Sequence, residues 1–204
     1  TLRRAAEDAG IDRAMVDAVC PRGAVDLALA YHEAGDAAMV AVLAESDLGA
    51  MRFRDRVAHA VRTRLELVAD RELVRRGTTL FALPQYGADG TRAMWRTADR
   101  IWTALGDTSD DVNWYTKRAT LAGVYGATVL FWLGDESDGH ARTWEFLDRR
   151  IDDVMQIEKI KAKARDNRVV SALMAGPLRV LGRVRAPSGV ARAGMPGRWD
   201  GTQQ

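Results

Sequence analysis

Trp114-Tyr115-Thr116-Lys117-Arg118-Ala119-Thr120-Leu121-Ala122-Gly123-Val124-Tyr125-Gly126-Ala127-Thr128-Val129-Leu130-Phe131-Trp132-Leu133 is the stretch around which this 204-residue chain is organised. After Lys117 and Arg118 it carries no charge, and apolar residues occupy every side of its helical circumference. A helix that is apolar all round is predicted to be buried all round, so this one is expected at the centre of a bundle. Its uncharged part falls short of the ~20 residues that a bilayer crossing needs, which favours a core helix over a span. Gly123 and Gly126 each weaken a helix by about 1 kcal/mol relative to alanine. Two gains would offset that cost: close helix–helix packing, or room for a lipid beside the glycines.

Helical periodicity recurs on both sides of this segment, and no alternating β-branched run reads as a strand. Upstream, residues 53–75 place Val57, Val61, Leu65 and Val68 on one stripe with arginines opposite. Pro84 and the glycines at 87 and 90 are expected to break the chain before a helix over 91–105, capped by Thr91. Downstream of an acidic loop, residues 142–163 set Trp144, Leu147, Ile151, Val154 and Met155 on one apolar face. At the start of the chain two short helices, 2–9 and 13–19, meet at Gly10-Ile11-Asp12, and helices over 24–33 and 37–44 follow. About nine helices and no sheet make the expected fold an all-α bundle. The expected organisation is a helix-turn-helix-like part over 1–45 and a helical body over 46–163. An amphipathic helix over 164–186 and a disordered Gly-, Pro- and Arg-rich tail over 187–204 complete it.

The formal net charge of +2 conceals a split. Residues 1–158 carry 20 Lys+Arg against 26 Asp+Glu, giving −6, whereas residues 159–204 carry 10 against 2, giving +8. An acidic body with a basic tail points to an anionic surface as partner. Cys20 is the single cysteine, which excludes a disulfide-built scaffold. No apolar segment follows Arg3 and Arg4, so a secretory signal is not expected.

A search for catalytic chemistry returns little. His32, His59 and His140 form no metal-ligand pair one helical turn apart, and each is expected on the surface or as a satisfied core residue. Asp135-Glu136-Ser137-Asp138 lacks the ligand spacing of a calcium loop and reads as a helix joint. Phosphate-cradle and nucleophile-elbow motifs are missing. No catalytic residue, metal site or cofactor is expected, and the chain is not expected to be an enzyme.

The two N-terminal helices, with Ala9-Gly10-Ile11 between them, resemble the helix-turn-helix of the TetR regulator family. A DNA reader needs groups on its second helix that reach phosphates and base edges. Here that helix reads Asp12-Arg13-Ala14-Met15-Val16-Asp17-Ala18-Val19, with two carboxylates and one arginine. Phosphate contacts supply much of DNA affinity, so nucleic acid is not expected as a partner.

Asp111-Val112-Asn113-Trp114-Tyr115-Thr116-Lys117-Arg118-Ala119 and Thr143-Trp144-Glu145-Phe146-Leu147-Asp148-Arg149-Arg150-Ile151-Asp152-Asp153-Val154-Met155 together resemble the coenzyme Q nine family, lipid-binding accessory factors of ubiquinone biosynthesis. Thr63-Arg64-Leu65, Leu83-Pro84 and Trp102 ahead of Gly106-Asp107 extend the resemblance to about residues 56–155. It implies a TetR-like fold without repressor function, a homodimer, and an apolar pocket for isoprenoid quinone intermediates. It also implies work beside the di-iron hydroxylase of demethoxyubiquinone, with the redox chemistry in that partner. A bound isoprenoid or phospholipid is the expected ligand. Helical facing and the resemblance together place Leu80, Leu83, Leu121, Val124, Tyr125, Thr128, Leu147, Ile151 and Met155 around the pocket. The partner patch maps to Asp111, Trp114 and Tyr115, with Ile101 on the preceding helix. Two adjacent aromatics at a helix start make an apt interface anchor; alternatively, Trp114 closes the end of the bundle. Lys117 stands where relatives commonly carry arginine. The mitochondrial presequence of eukaryotic members is missing, so the expected location is the bacterial cytoplasm, peripheral to the inner membrane.

Projected at 100° per residue, residues 168–184 separate into an apolar half and an arginine-bearing half. Leu173, Met174, Leu178 and Leu181 lie on the first, and Arg168, Arg179 and Arg183 on the second. This pattern matches an interfacial membrane helix, each basic group adding about 1 kcal/mol near anionic lipid. Docking of the same face on the body or on a dimer mate is the alternative. Deleting residues 167–204 is expected to abolish co-sedimentation with anionic liposomes while leaving the helical circular dichroism of the body intact; undiminished sedimentation would reject the membrane reading.

Overall fold

Ion pairs and caps, as much as apolar stripes, set where each helix of this chain begins and ends. The computed structural model describes residues 2–166 and 184–187, with the side chains of 157–166 outside the description. Among the described residues there are eight α-helices and no strand: α1 (Leu2–Asp8), α2 (Arg13–Val19), α3 (Ala24–Glu45), α4 (Phe53–Glu66), α5 (Arg71–Phe81), α6 (Gly87–Ala104), α7 (Val112–Gly134) and α8 (Ala141–Asp166). The architecture is the all-α bundle that periodicity predicts. Asp12, Asp70 and Asp111 start α2, α5 and α7 by accepting hydrogen bonds from the amides of Ala14, Glu72 and Asn113. Gly10 takes the left-handed conformation (φ 66°) that ends α1.

α7 packs between α6 and α8, and α6 packs in turn on α3. Met39, Leu43, Val61, Leu65, Ile101, Leu121, Tyr125 and Leu147 belong to the core they enclose. α3 is long and apolar enough, by length and composition, to cross a membrane. In the bundle it packs against α4, α5 and α6.

Several elements differ from the sequence expectation, each for a local reason. α3 runs unbroken through Gly35-Asp36 because Arg64 of α4 lies against it there. A Cβ on Gly35 would sit 2.6 Å from the Arg64 guanidinium carbon. The expected helix over 53–75 is two helices: the chain leaves α4 at Leu67, and Asp70 caps a new start. α6 begins at Gly87, so Thr91 is no cap; its hydroxyl donates to the Gly87 carbonyl at 2.9 Å. Gly90 sits inside α6 where a Cβ would approach that of Phe81 to 2.7 Å.

α7 is not buried all round. Leu121, Tyr125, Val129 and Trp132 form its buried face, while Leu130 is 61% exposed. A Cβ at Gly123 or Gly126 would meet nothing within 4 Å, so these glycines serve no close packing within the chain. Of the expected amphipathic helix over 164–186, residues 164–166 are the end of α8, 184–186 are described and are not helical, and 167–183 lie outside the description. Of the expected disordered tail, residues 188–204 lie outside the description.

The corner between α6 and α7 is held by charge. Arg118, 2% exposed, donates to Asp99 and, at 3.0 Å, to Asp107, and its guanidinium lies 4.1 Å over the Trp114 ring. Asp107 also accepts from Lys117 and Ser109, each at 2.8 Å. Burial alone would raise the Asp107 pKa, but the hydrogen bonds from Lys117, Ser109 and Arg118 outweigh it and hold the carboxyl at about 2. A depressed folded pKa contributes stability that is complete above the unfolded value of about 4 and is lost as pH falls toward 2. Arg118→Met is expected to lower the unfolding free energy at pH 7 by about 3–5 kcal/mol, because it leaves a buried carboxylate short of a partner. Asp107→Asn is expected to flatten the pH dependence between 4 and 2. Urea titrations check both, and equal midpoints for wild type and Arg118→Met would reject the assignment.

Candidate functional site

The residues expected around one pocket divide between two cavities and the core, because α7 turns different sides to different neighbours. Leu121, Val124, Ile151 and Met155 line a cavity of about 310 Å³ between α4, α6, α7 and α8. Leu80 and Tyr125 line a second cavity of about 690 Å³ among α1, α3, α4, α5, α6 and α7. Thr128, Leu147 and Leu83 line neither. The Thr128 hydroxyl is spent on the Val124 carbonyl at 2.7 Å. Leu147 is packed into the core, and Leu83 lies beyond the end of α5, 41% exposed.

The walls of the first cavity are largely apolar. Phe53 and Trp102 stack across it with ring centroids 5.6 Å apart. Trp102 is fixed by donating its indole N–H to the Lys117 carbonyl at 3.1 Å. Asn113, Thr116 and Lys117 supply polar groups where α7 begins, and Arg54 reaches Asp152 at 3.0 Å. Sequence reasoning missed Phe53 and Trp102 as lining residues. Their hydrophobicity is visible in the sequence, but their stacking joins residues 49 positions apart.

The second cavity has a polar inner end. Arg64 donates from Nε to Asp36 at 2.7 Å and from Nη2 to the His32 carbonyl at 2.9 Å. The Thr97 hydroxyl has one proton, which goes to Asp36 at 3.0 Å, so it accepts from His32 Nε2 at 2.8 Å. Burial lowers the His32 pKa and pushes Tyr125 up to about 12, so both are neutral at pH 7. His32 is thus the satisfied core histidine that its position suggests.

The expected partner patch is only partly at the surface. Ile101 is 0% exposed on the inward side of α6 and cannot touch a partner. Trp114, 2% exposed, is enclosed by Trp95, Tyr115 and Arg118 and closes the bundle end, the alternative left open by the sequence. Asp111 and Tyr115 are half-buried. Tyr115 donates its hydroxyl to the Arg185 carbonyl at 3.3 Å, and the Ala186 amide donates to the Asp110 carbonyl at 2.7 Å. The expected membrane residues Arg168, Leu173, Met174, Leu178, Arg179, Leu181 and Arg183 lie outside the described residues.

In α2 the single arginine, Arg13, pairs with Asp17 at 3.6 Å. The acidic loop is a joint: Asp135 accepts from the hydroxyl and amide of Thr143 and from Ser137, which hold its carboxyl well below the usual range. Among the described residues no group of three or more His, Cys, Asp or Glu is placed to hold a metal ion.

Residues 88–158 match the COQ9 family model. The mitochondrial ubiquinone biosynthesis protein COQ9 of Rattus norvegicus is 40% identical over 99 residues, 48% of this chain and 32% of the rat protein. That of Drosophila melanogaster is 33% identical over 158 residues, 75% of this chain and 48% of its own length. The chain thus spans between about a quarter and a half of the length of the curated relatives it matches. The crystal structure of the TetR transcriptional regulator from Nitrosomonas europaea ATCC 19718 superposes with a TM-score of 0.60 at 21% identity, covering 74% of this chain and 84% of that one. At that identity it shows the fold alone.

The relatives correct the expected location. They are mitochondrial proteins of eukaryotes, which overturns the placement in a bacterial cytoplasm. That expectation rested on a missing presequence, and the first residue of a sequence says nothing of what precedes it. Residues 88–158 of the chain are thus similar to the COQ9 family, on a TetR-like all-α fold.

Proposed function

We propose that the chain is a lipid-binding accessory protein of ubiquinone biosynthesis. It holds isoprenoid quinone intermediates in the 310 Å³ cavity and presents them to the demethoxyubiquinone hydroxylase at an anionic membrane surface. The relatives' naming as ubiquinone biosynthesis proteins supports the pathway. The observation that carries the finer reading is an overlap. Apart from Phe53, Arg54 and Val57, every residue lining this cavity falls within the family-matching stretch 88–158. Its volume lies at the lower end of the ~300–1,000 Å³ of small-molecule sites. An isoprenoid chain offers no hydrogen-bonding group, so it is held by burial of apolar area, worth about 25 cal/mol per Å². Leu121, Val124, Ile151 and Met155 supply that area, while Asn113, Thr116 and Lys117 face the polar end of the ligand.

Asp111 and Tyr115 are the contacts to the hydroxylase in this reading. They stand at the start of α7, beside the polar residues of the cavity, so a ligand is held close to its point of delivery. The redox chemistry belongs to the partner. The reading includes a homodimer: the open face of α7, with Gly123, Gly126 and the exposed Leu130, is apolar and suits a second copy.

Val124→Trp fills the cavity from a half-buried position. Native mass spectrometry with a short-chain ubiquinone is expected to give an adduct with the wild type and at least about tenfold less with Val124→Trp, at unchanged circular dichroism. Equal adducts would reject the assignment of the ligand to this cavity. Leu130→Glu is expected to yield a monomer in light scattering, and an unaltered dimer would remove α7 from the interface.

A further inference from the structure

The start of α7 already holds a piece of the chain. Residues 184–187, Val184-Arg185-Ala186-Pro187, are not helical and lie against it, beginning 18 positions beyond the last residue of α8. A single peptide group carries the contact. The Arg185 carbonyl accepts from the Tyr115 hydroxyl at 3.3 Å. The N–H of the same peptide unit, that of Ala186, donates to the Asp110 carbonyl at 2.7 Å. The two polar atoms of a trans peptide point to opposite sides of the chain, so this unit is gripped between Asp110 and Tyr115.

The flanking residues suit that grip. The Arg185 guanidinium lies 3.8 Å from the Asp110 carboxylate, an outer contact between two exposed side chains. Pro187 restricts the residue before it to extended backbone, so Ala186 has little conformational freedom to lose on seating. Ala186 and Pro187 are half-buried, while Val184 and Arg185 are exposed. A surface that reads one backbone peptide and an adjacent arginine is built for an extended basic segment.

Tyr115, with Asp111, is the hydroxylase contact proposed for this chain, and Asp110 adjoins it. The single proton of the Tyr115 hydroxyl is spent on Arg185 while the segment is seated. We infer that residues 184–187 are an internal competitor of the partner: seated, they cover the partner site at the start of α7, and the hydroxylase binds when they leave. The inference rests on the reading of Asp111 and Tyr115 as hydroxylase contacts. Seating occurs within one chain, so it does not depend on protein concentration. The apparent affinity for the partner is scaled down by the fraction of molecules in which the segment is away. Asp110 is exposed and Tyr115 half-buried, so the grip is shallow enough for a partner to displace.

Surface plasmon resonance of the full chain against purified demethoxyubiquinone hydroxylase tests the competition. In a Cys20→Ser background, Asp110→Cys with Ala186→Cys places two thiols on residues whose carbonyl and amide already meet, within reach of a disulfide. Peptide mass mapping is expected to find that disulfide within one chain. The oxidised protein is expected to bind the hydroxylase at least about tenfold more weakly than the same protein after reduction. Arg185→Glu with Ala186→Pro reverses the charge and removes the donor while leaving Asp111 and Tyr115 intact. It is expected to bind about 3- to 10-fold more tightly than wild type, the worth of one hydrogen bond. Thiols that do not join, or that join two chains, would overturn the inference. Hydroxylase binding that neither change alters rejects the inference alone, whereas no binding by any form removes the reading of the patch and the inference with it.

Discussion

Arg64 crosses from α4 to α3 over Gly35 and ends on Asp36, and three helices take their positions from that reach. Asp36 receives the Thr97 hydroxyl of α6 on its other side, and Thr97 in turn receives His32. One buried carboxylate therefore binds α3, α4 and α6 into a single unit. Breaking such a pair by removing one partner costs several kcal/mol, since the remaining charge is stranded away from water. Arg64 of the same pair also lines the inner end of the larger cavity. A second buried cluster, Arg118 with Asp99 and Asp107, does comparable work where α6 turns into α7.

Local signals were legible in the sequence. Asp12 and Gly10 mark the first two helices because capping and left-handed turns involve neighbouring residues only. The central helix extends two residues before and one after the stretch 114–133, and its apolar content was unmistakable. Where it faces was not. Composition cannot distinguish a helix buried on every side from one that leaves Leu130 in the open. The continuity of α3 was equally hidden, since Gly35 reads as a helix breaker until Arg64, 29 positions later, is known to lie against it.

The site shows the same division. Leu121, Val124, Ile151 and Met155, which helical facing and the resemblance together place around a pocket, do share one cavity. Tyr125 follows Val124 by one residue, a rotation of about 100° that moves it to the wall of the other cavity. Ile101 and Trp114 fit a partner patch by their place in the sequence, but the ion pair beneath the corner draws the bundle closed over them. Compartment is a different matter. It is not encoded in the packing of a folded body, and only kinship with mitochondrial proteins corrected it.

The missing side chain of Gly35 gives the protein a remote point of control. That residue lines neither cavity. A methyl group there would nevertheless press on the guanidinium of Arg64 and prise it from Asp36, uncovering a positive charge at the end of the larger cavity. A change of one carbon on the far side of a helix would thereby alter the charge at the end of a cavity that the changed residue does not touch. The electrostatics of a cavity in this fold are written partly in the thickness of a helix backbone.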